Sequence, residues 1–190
     1  MIVGIDPSLT GCGVSDGTRH IRIETKAGLE LRDRVAHIVS EIRLFIADGA
    51  TITATAFTED TMTRSGFITT PRFFIEGPAM GSPRGASHLY EIGWLMNSLD
   101  RFARHFGATV TLVQPATLRK FVTGKGNTPK EQLALKCFKR WGIEIEDDRG
   151  FNKLEAYCLV QYGAAVLAGE IAHTEIAKRG RGGRRKKPAA

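Results

Sequence analysis

Three acidic residues stand where an α/β chain collects chemistry. Asp6 ends the apolar run IVGID, Glu59 ends the alternating run ITATAFTE, and Glu155 lies in NKLEAYCLVQYG at the start of a helical pattern. Asn152 precedes Glu155 by three residues, so the two share one helix face. Acids at the carboxyl ends of strands meet at the edge of an open α/β sheet, where ligands bind. Carboxylates and amide carbonyls are ligands for hard divalent cations. Two such ions about 3.5–4 Å apart clamp the attacking and leaving oxygens of a phosphoryl displacement. Singly, each acid has a plainer reading: Asp6 starts a turn, Glu59 is solvated, and Glu155 suits a helix dipole. Their convergence is what would give them a function, and convergence depends on the elements that carry them.

Those elements are legible as alternation and helical spacing. Residues 2–6, then CGVS and HIRIET on either side of an SDGT turn, read as a three-stranded meander. Leu31, Val35, Ile38, Val39, Ile42, Phe45 and Ile46 predict a helix over 31–48, and β-branched alternation predicts a strand over 52–58. Residues 61–86, rich in Gly, Pro, Ser and Thr, read as a long irregular segment. Helix 87–106, strand 109–113, a short helix from Pro115, helix 129–141 with Pro129 in its first turn, and a last helix from about 151 to 176 follow. The order predicts an α/β layer with one mixed sheet and helices on both faces.

Charge narrows the class of partner. The chain has 190 residues and a net charge of +7, and residues 178–190 hold seven cations and no acid, so the excess resides in that tail. Gly-, Arg- and Lys-rich and poor in apolar residues, the tail reads as disordered, an electrostatic arm for a polyanion whose loss would flatten the salt dependence of binding. Residues 1–177 form the expected single domain. Its balance of charge hides a polarity. Segment 101–140 holds nine cations against Glu131 alone, whereas 141–155 holds five acids against Arg149 and Lys153. Arg119, Lys120, Lys125 and Lys130 are the candidate phosphate contacts. The GKGN turn at 124–127 could present backbone N–H groups to a phosphate, although Walker-loop spacing is absent. Met62 and Phe67 in the irregular segment are candidate wedges between bases, whereas Phe73 and Phe74 could instead close a hydrophobic cluster or a dimer contact. No apolar run approaches a membrane span, no signal sequence precedes IVGID, and Cys12, Cys137 and Cys158 form no CxxC pair. Those features lead to the expectation of a cytoplasmic protein with core cysteines.

The segments GIDPSLTGCGV, FTED, QPATLRKFVTGKGNTPKEQ and NKLEAYCLVQYG, in that order, resemble the four motifs of RuvC-type Holliday-junction resolvases, and the likeness spans residues 1 to about 169. The resemblance implies an RNase H-like fold with a mixed five-stranded sheet. It implies a homodimeric endonuclease, similar to the compact viral versions, that places paired nicks in four-way DNA and leaves 5′-phosphates. Mg²⁺ is the implied cofactor, with Mn²⁺ as substitute and two ions per site, and no small-molecule cofactor. By the same likeness Asp6, Glu59, Asn152 and Glu155 are the metal ligands, Lys130 assists catalysis, and Arg119 takes the place of a second basic residue. The family often has Asp where this chain has Asn152. Position 152 could be a natural neutral ligand, a replaced aspartate, or a position whose charge comes instead from Asp147 or Asp148. Two rivals stand beside this reading: a branched-DNA binding protein without catalysis, and an actin/hexokinase-like ATPase, whose paired domains need a longer chain.

Overall fold

The computed structural model describes residues 1–26, 28–49, 70–78 and 86–173. The chain begins with three strands, β1 (Ile2–Asp6), β2 (Cys12–Ser15) and β3 (His20–Ile23), followed by α1 (Leu31–Gly49). Then come β4 (Arg72–Glu76), α2 (Ala86–His105), β5 (Thr109–Val113), α3 (Pro115–Thr123), α4 (Lys130–Trp141) and α5 (Asn152–Leu167). The strands form one sheet in the order β3-β2-β1-β4-β5. The β1–β2 and β2–β3 pairs are antiparallel, and β1–β4 and β4–β5 are parallel. The mixed five-stranded sheet expected from the sequence is therefore present.

Alternation along the strands divides the core in two. Val3 and Ile5 of β1 and Phe73 and Ile75 of β4 face α1 and α2, meeting Ile38, Ile42, Leu95 and Leu99. On the opposite face Phe74 and Val113 meet Leu118, Leu133, Leu154, Leu159 and Tyr162 of α3, α4 and α5. Helices cover both faces, as expected. The buried Cys137 and Cys158 thiols lie 3.2 Å apart where α4 meets α5. An unbroken buried run from Leu154 to Val160 shows that this stretch of α5 is enclosed, with the sheet beneath it, α3 against it and α4 meeting it at the Cys137–Cys158 pair.

Three boundaries differ from expectation. The segment read as irregular, 61–86, contains β4: Phe73, Phe74 and Ile75 are buried on both faces of a central strand, so it lacks the polar alternation that marks a half-buried one. The last helix ends at Leu167, where Gly169 turns left-handed, short of 176. Pro129 stands just before the first turn of α4 as its cap, in extended backbone. The strand expected over 52–58 lies outside the described residues, as does the tail.

The seating of α5 depends on two glycines. A Cβ on Gly4 would stand 2.0 Å from the Ala156 carbonyl oxygen, and one on Gly13 would stand 2.0 Å from the Asn152 carbonyl oxygen. Backbone fills the space that any side chain there would need. Gly4→Ala and Gly13→Ala should each lower the unfolding free energy by ~1–3 kcal/mol through forced displacement of α5. Urea denaturation checks this, with Gly28→Ala, whose added methyl meets nothing within 4 Å, as the unchanged control.

Candidate metal centre and phosphate-binding cluster

Register brings two acids level. β1 and β4 run parallel with Ile5 opposite Ile75, so Asp6 and Glu76 end neighbouring strands side by side. Both share the face of Gly4 and Phe74, on which α5 lies. Asp6 is also opposite Gly13 of β2, the residue over which the first turn of α5 passes. That turn delivers Glu155, 1% exposed, to the same point. Asp6, Glu76 and Glu155 each place a carboxylate oxygen within 4.8 Å of the others.

The entry into α5 is built to hold this arrangement. Phe151 has left-handed backbone, φ 62°, which is uncommon for a bulky residue, and its ring packs against the α3–α5 core. The Asp148 carboxylate accepts the Lys153 N–H at 3.0 Å and the Leu154 N–H at 2.8 Å, donors that a helix start leaves without partners. Asp148 is thereby committed to backbone, and neither it nor exposed Asp147 joins the cluster. Asn152 does approach it: its Nδ2 donates to Asp6 Oδ2 at 2.9 Å.

Two cations complete the site. Lys130, the first residue of α4, donates from Nζ to Glu155 Oε2 and, at 3.0 Å, to the Gly150 carbonyl. Arg119 of α3 brings Nη2 to 3.6 Å from Glu155 Oε1. The turn between α3 and α4 fixes their spacing. The Thr123 hydroxyl donates to the Arg119 carbonyl at 2.8 Å and accepts the Lys125 N–H at 3.2 Å, and it lies 2.7 Å from the Thr128 hydroxyl. Lys120 and Lys125 are exposed on α3 and on this turn. Arg140 has a structural role, donating to the Phe121 carbonyl at 2.8 Å and lying over the Phe121 and Trp141 rings.

Crowding three carboxyls out of water raises their pKa values. Burial lifts Asp6 above its ordinary value against the pull of its hydrogen bonds and Lys130. Burial, then the charges of Asp6 and Glu155, hold Glu76 well above its own, and its hydrogen bond with Asp6 acts in the same direction. Glu155 is pushed up to about 7 by burial and Asp6, with Lys130 and Arg119 resisting. For Lys130, burial opposes the charge, but Glu155, Asp6 and Glu76 together outweigh it and raise its pKa. Glu155 Oε1 is buried and accepts no hydrogen bond among the described residues. Clustered carboxylates with an unsatisfied buried oxygen fit a hard divalent cation, which would supply the missing positive charge.

Of the residues singled out in the sequence, the structure brings Asp6, Asn152, Glu155, Lys130 and Arg119 together. Glu59, Met62 and Phe67 lie outside the described residues. Glu76 was missed. Its signal was the string RFFIEG, an apolar run closed by an acid just as IVGID is, masked by the Gly- and Pro-rich surroundings.

No family model and no curated protein matches the sequence. Among solved structures, RuvC of Thermus thermophilus is 17% identical with a TM-score of 0.59, over 87% of this chain and 94% of that one. The same protein in complex with a Holliday junction substrate is 16% identical with a TM-score of 0.62, over 88% and 94%. The chain shares the fold of RuvC. That fold is the RNase H-like one, and within it the carboxylate cluster occupies the carboxyl edge of the parallel strands.

Raised carboxyl pKa values have a consequence for stability without metal. The folded protein keeps protons that the unfolded chain releases, so this stability is present below the ordinary carboxyl value of 4.5 and is lost as pH rises toward about 7. In EDTA the melting temperature should fall between pH 4.5 and 8. Glu76→Gln, which mimics the protonated carboxyl, should melt higher than the wild type at pH 8 and should lose the upward shift that added Mn²⁺ gives the wild type. Differential scanning fluorimetry measures both.

Proposed function

We propose that the chain is a metal-dependent, structure-selective endonuclease that resolves four-way and other branched DNA. The observation that carries this reading is the cluster of Asp6, Glu76 and Glu155 with Lys130 and Arg119 beside it, on a fold shared with a protein solved in complex with a Holliday junction. Asp6, Glu76 and Glu155 are the metal-holding carboxylates of the described residues. Glu59, at the position the motif likeness indicates, is a further candidate ligand. When bound, divalent cations, Mg²⁺ or Mn²⁺ and two to a site, supply Lewis-acid polarisation of the phosphodiester and activation of the attacking water.

The protein's own groups bind and orient. Lys130 and Arg119 neutralise charge that grows on the scissile phosphate, the role of cations fixed in a poorly hydrated site. Asn152 holds the Asp6 carboxylate by its 2.9 Å hydrogen bond. Lys120 and Lys125 extend the contact along the DNA backbone, and the tail, 178–190, adds attraction without sequence preference. Met62 and Phe67 are the wedge candidates at the branch point. The products are nicks with 5′-phosphates.

Paired nicks require two sites related by a two-fold axis. The exposed face of α2 supplies a surface for a homodimer: Leu89, Tyr90 and Trp94 are 50%, 68% and 38% exposed, and the Tyr90 and Trp94 rings pack edge to face 6.3 Å apart. No described helix is long and apolar enough to cross a membrane.

Cleavage of junction, fork, flap and duplex substrates with Mg²⁺ and with EDTA tests the reading. Junction cutting should require the metal, and Asp6→Asn should reduce it by about a hundredfold to a thousandfold, the range typical for lost electrostatic catalysis, while junction binding persists. Nicking that survives EDTA would remove the metal mechanism. In sedimentation velocity the wild type should run as a dimer, and Trp94→Glu as a monomer whose nicks are no longer paired.

A further inference from the structure

Glu155 carries both ion pairs of the cluster, and they are satisfied unequally. Its Oε2 is taken by the Lys130 ammonium. Its Oε1 lies 3.6 Å from Arg119 Nη2 and accepts no hydrogen bond from the described residues, among which the equally buried Arg119 Nε has no partner either. The carboxylate that completes the three-acid cluster is therefore already occupied on one oxygen by a cation of the protein. The second cation stands near its other oxygen with donor capacity unspent.

A divalent cation among Asp6, Glu76 and Glu155 and the Lys130 ammonium would compete for the same carboxylate, and at such range like charges repel strongly in a site with little water. Lys130 has a way out. Its side chain is 37% exposed, its stem is flexible, and the Gly150 carbonyl at 3.0 Å gives the ammonium an acceptor outside the cluster. Arg119 offers a planar fork suited to phosphate oxygens. We propose that phosphate and metal binding are coupled by a cation exchange at Glu155. A DNA phosphate draws Lys130 and Arg119 onto its own oxygens, and the freed carboxylate takes the divalent ion. Lys130 is thus a resident placeholder that keeps the site weakly loaded until DNA arrives. The exchange rests on the nuclease reading, because DNA supplies the phosphate.

Coupling of this kind is reciprocal, so each ligand strengthens the other by the same factor. Ca²⁺, used as a non-catalytic probe, is titrated calorimetrically into the wild type, Lys130→Met and Lys130→Gln, each without DNA and with a four-way junction. The second substitution guards against a folding defect in the first. Without DNA, both variants should bind Ca²⁺ about tenfold more tightly than the wild type, within the usual range of coupling energies. The junction should tighten Ca²⁺ binding to the wild type by a similar factor and to the variants by much less. Ca²⁺ affinity that is unchanged or weaker in both DNA-free variants overturns the exchange. A junction that binds all three proteins and strengthens Ca²⁺ equally in each overturns it too, while leaving the nuclease reading in place. Failure of the wild type to bind the junction at all, with or without Ca²⁺, removes the nuclease reading and the exchange with it.

Discussion

The site depends on how closely one helix can lie on one sheet. α5 carries Glu155, and its backbone touches β1 and β2 where those strands have no side chain, at Gly4 and Gly13. A helix packed through ordinary side chains would stand farther off. Because the contact is made by carbonyl oxygens of Asn152, three residues before Glu155, and Ala156, just after it, its position is fixed by main chain on both flanks. The Asp148 bonds to the first turn and the left-handed Phe151 then set where the helix begins. Packing, capping and backbone conformation all act on the same few residues.

The second constraint is electrostatic. Three carboxyls share a buried space that disfavours three full charges, which raises the pKa of each, and the cations Lys130 and Arg119 stand against Glu155. These cations come from α3 and α4, joined by a turn whose threonine hydroxyls tie its ends together. The local charge is nearly balanced without any ligand. A cation that enters would share Glu155 with Lys130 and Arg119, and an anion would compete with Glu155 for them.

Much of this was legible in the sequence, and the gaps have physical causes. The five described helices and four of the five described strands follow from apolar spacing, because each has one buried and one solvated face or a clear turn at its end. β4 gave no such signal. Phe73 and Phe74 are both buried, one on each face, so the strand reads as a short apolar run among glycines and prolines. Its acid, Glu76, was hidden with it, while the stronger β-branched alternation of ITATAFT drew attention to Glu59. Asp6, Glu155 and Lys130 were visible because each sits in a motif. What no motif could reveal is pairing across the chain: that Lys130 reaches Glu155, that Asn152 donates to Asp6, or that Asp148 is consumed as a helix cap.

The arrangement of α5 also orders events in time. Asp6 and Glu76 lie on adjacent strands, but Glu155 belongs to the last described element and arrives 79 residues after Glu76. Domains acquire their contacts as the chain emerges, and pairings between distant segments form late. A growing chain thus holds two of the three acids, without the cations of α3 and α4, long before it holds a complete cluster. The three carboxylates and the cations beside them come together only when the sheet's far face is closed, so the cluster is a late product of folding and not of any one segment.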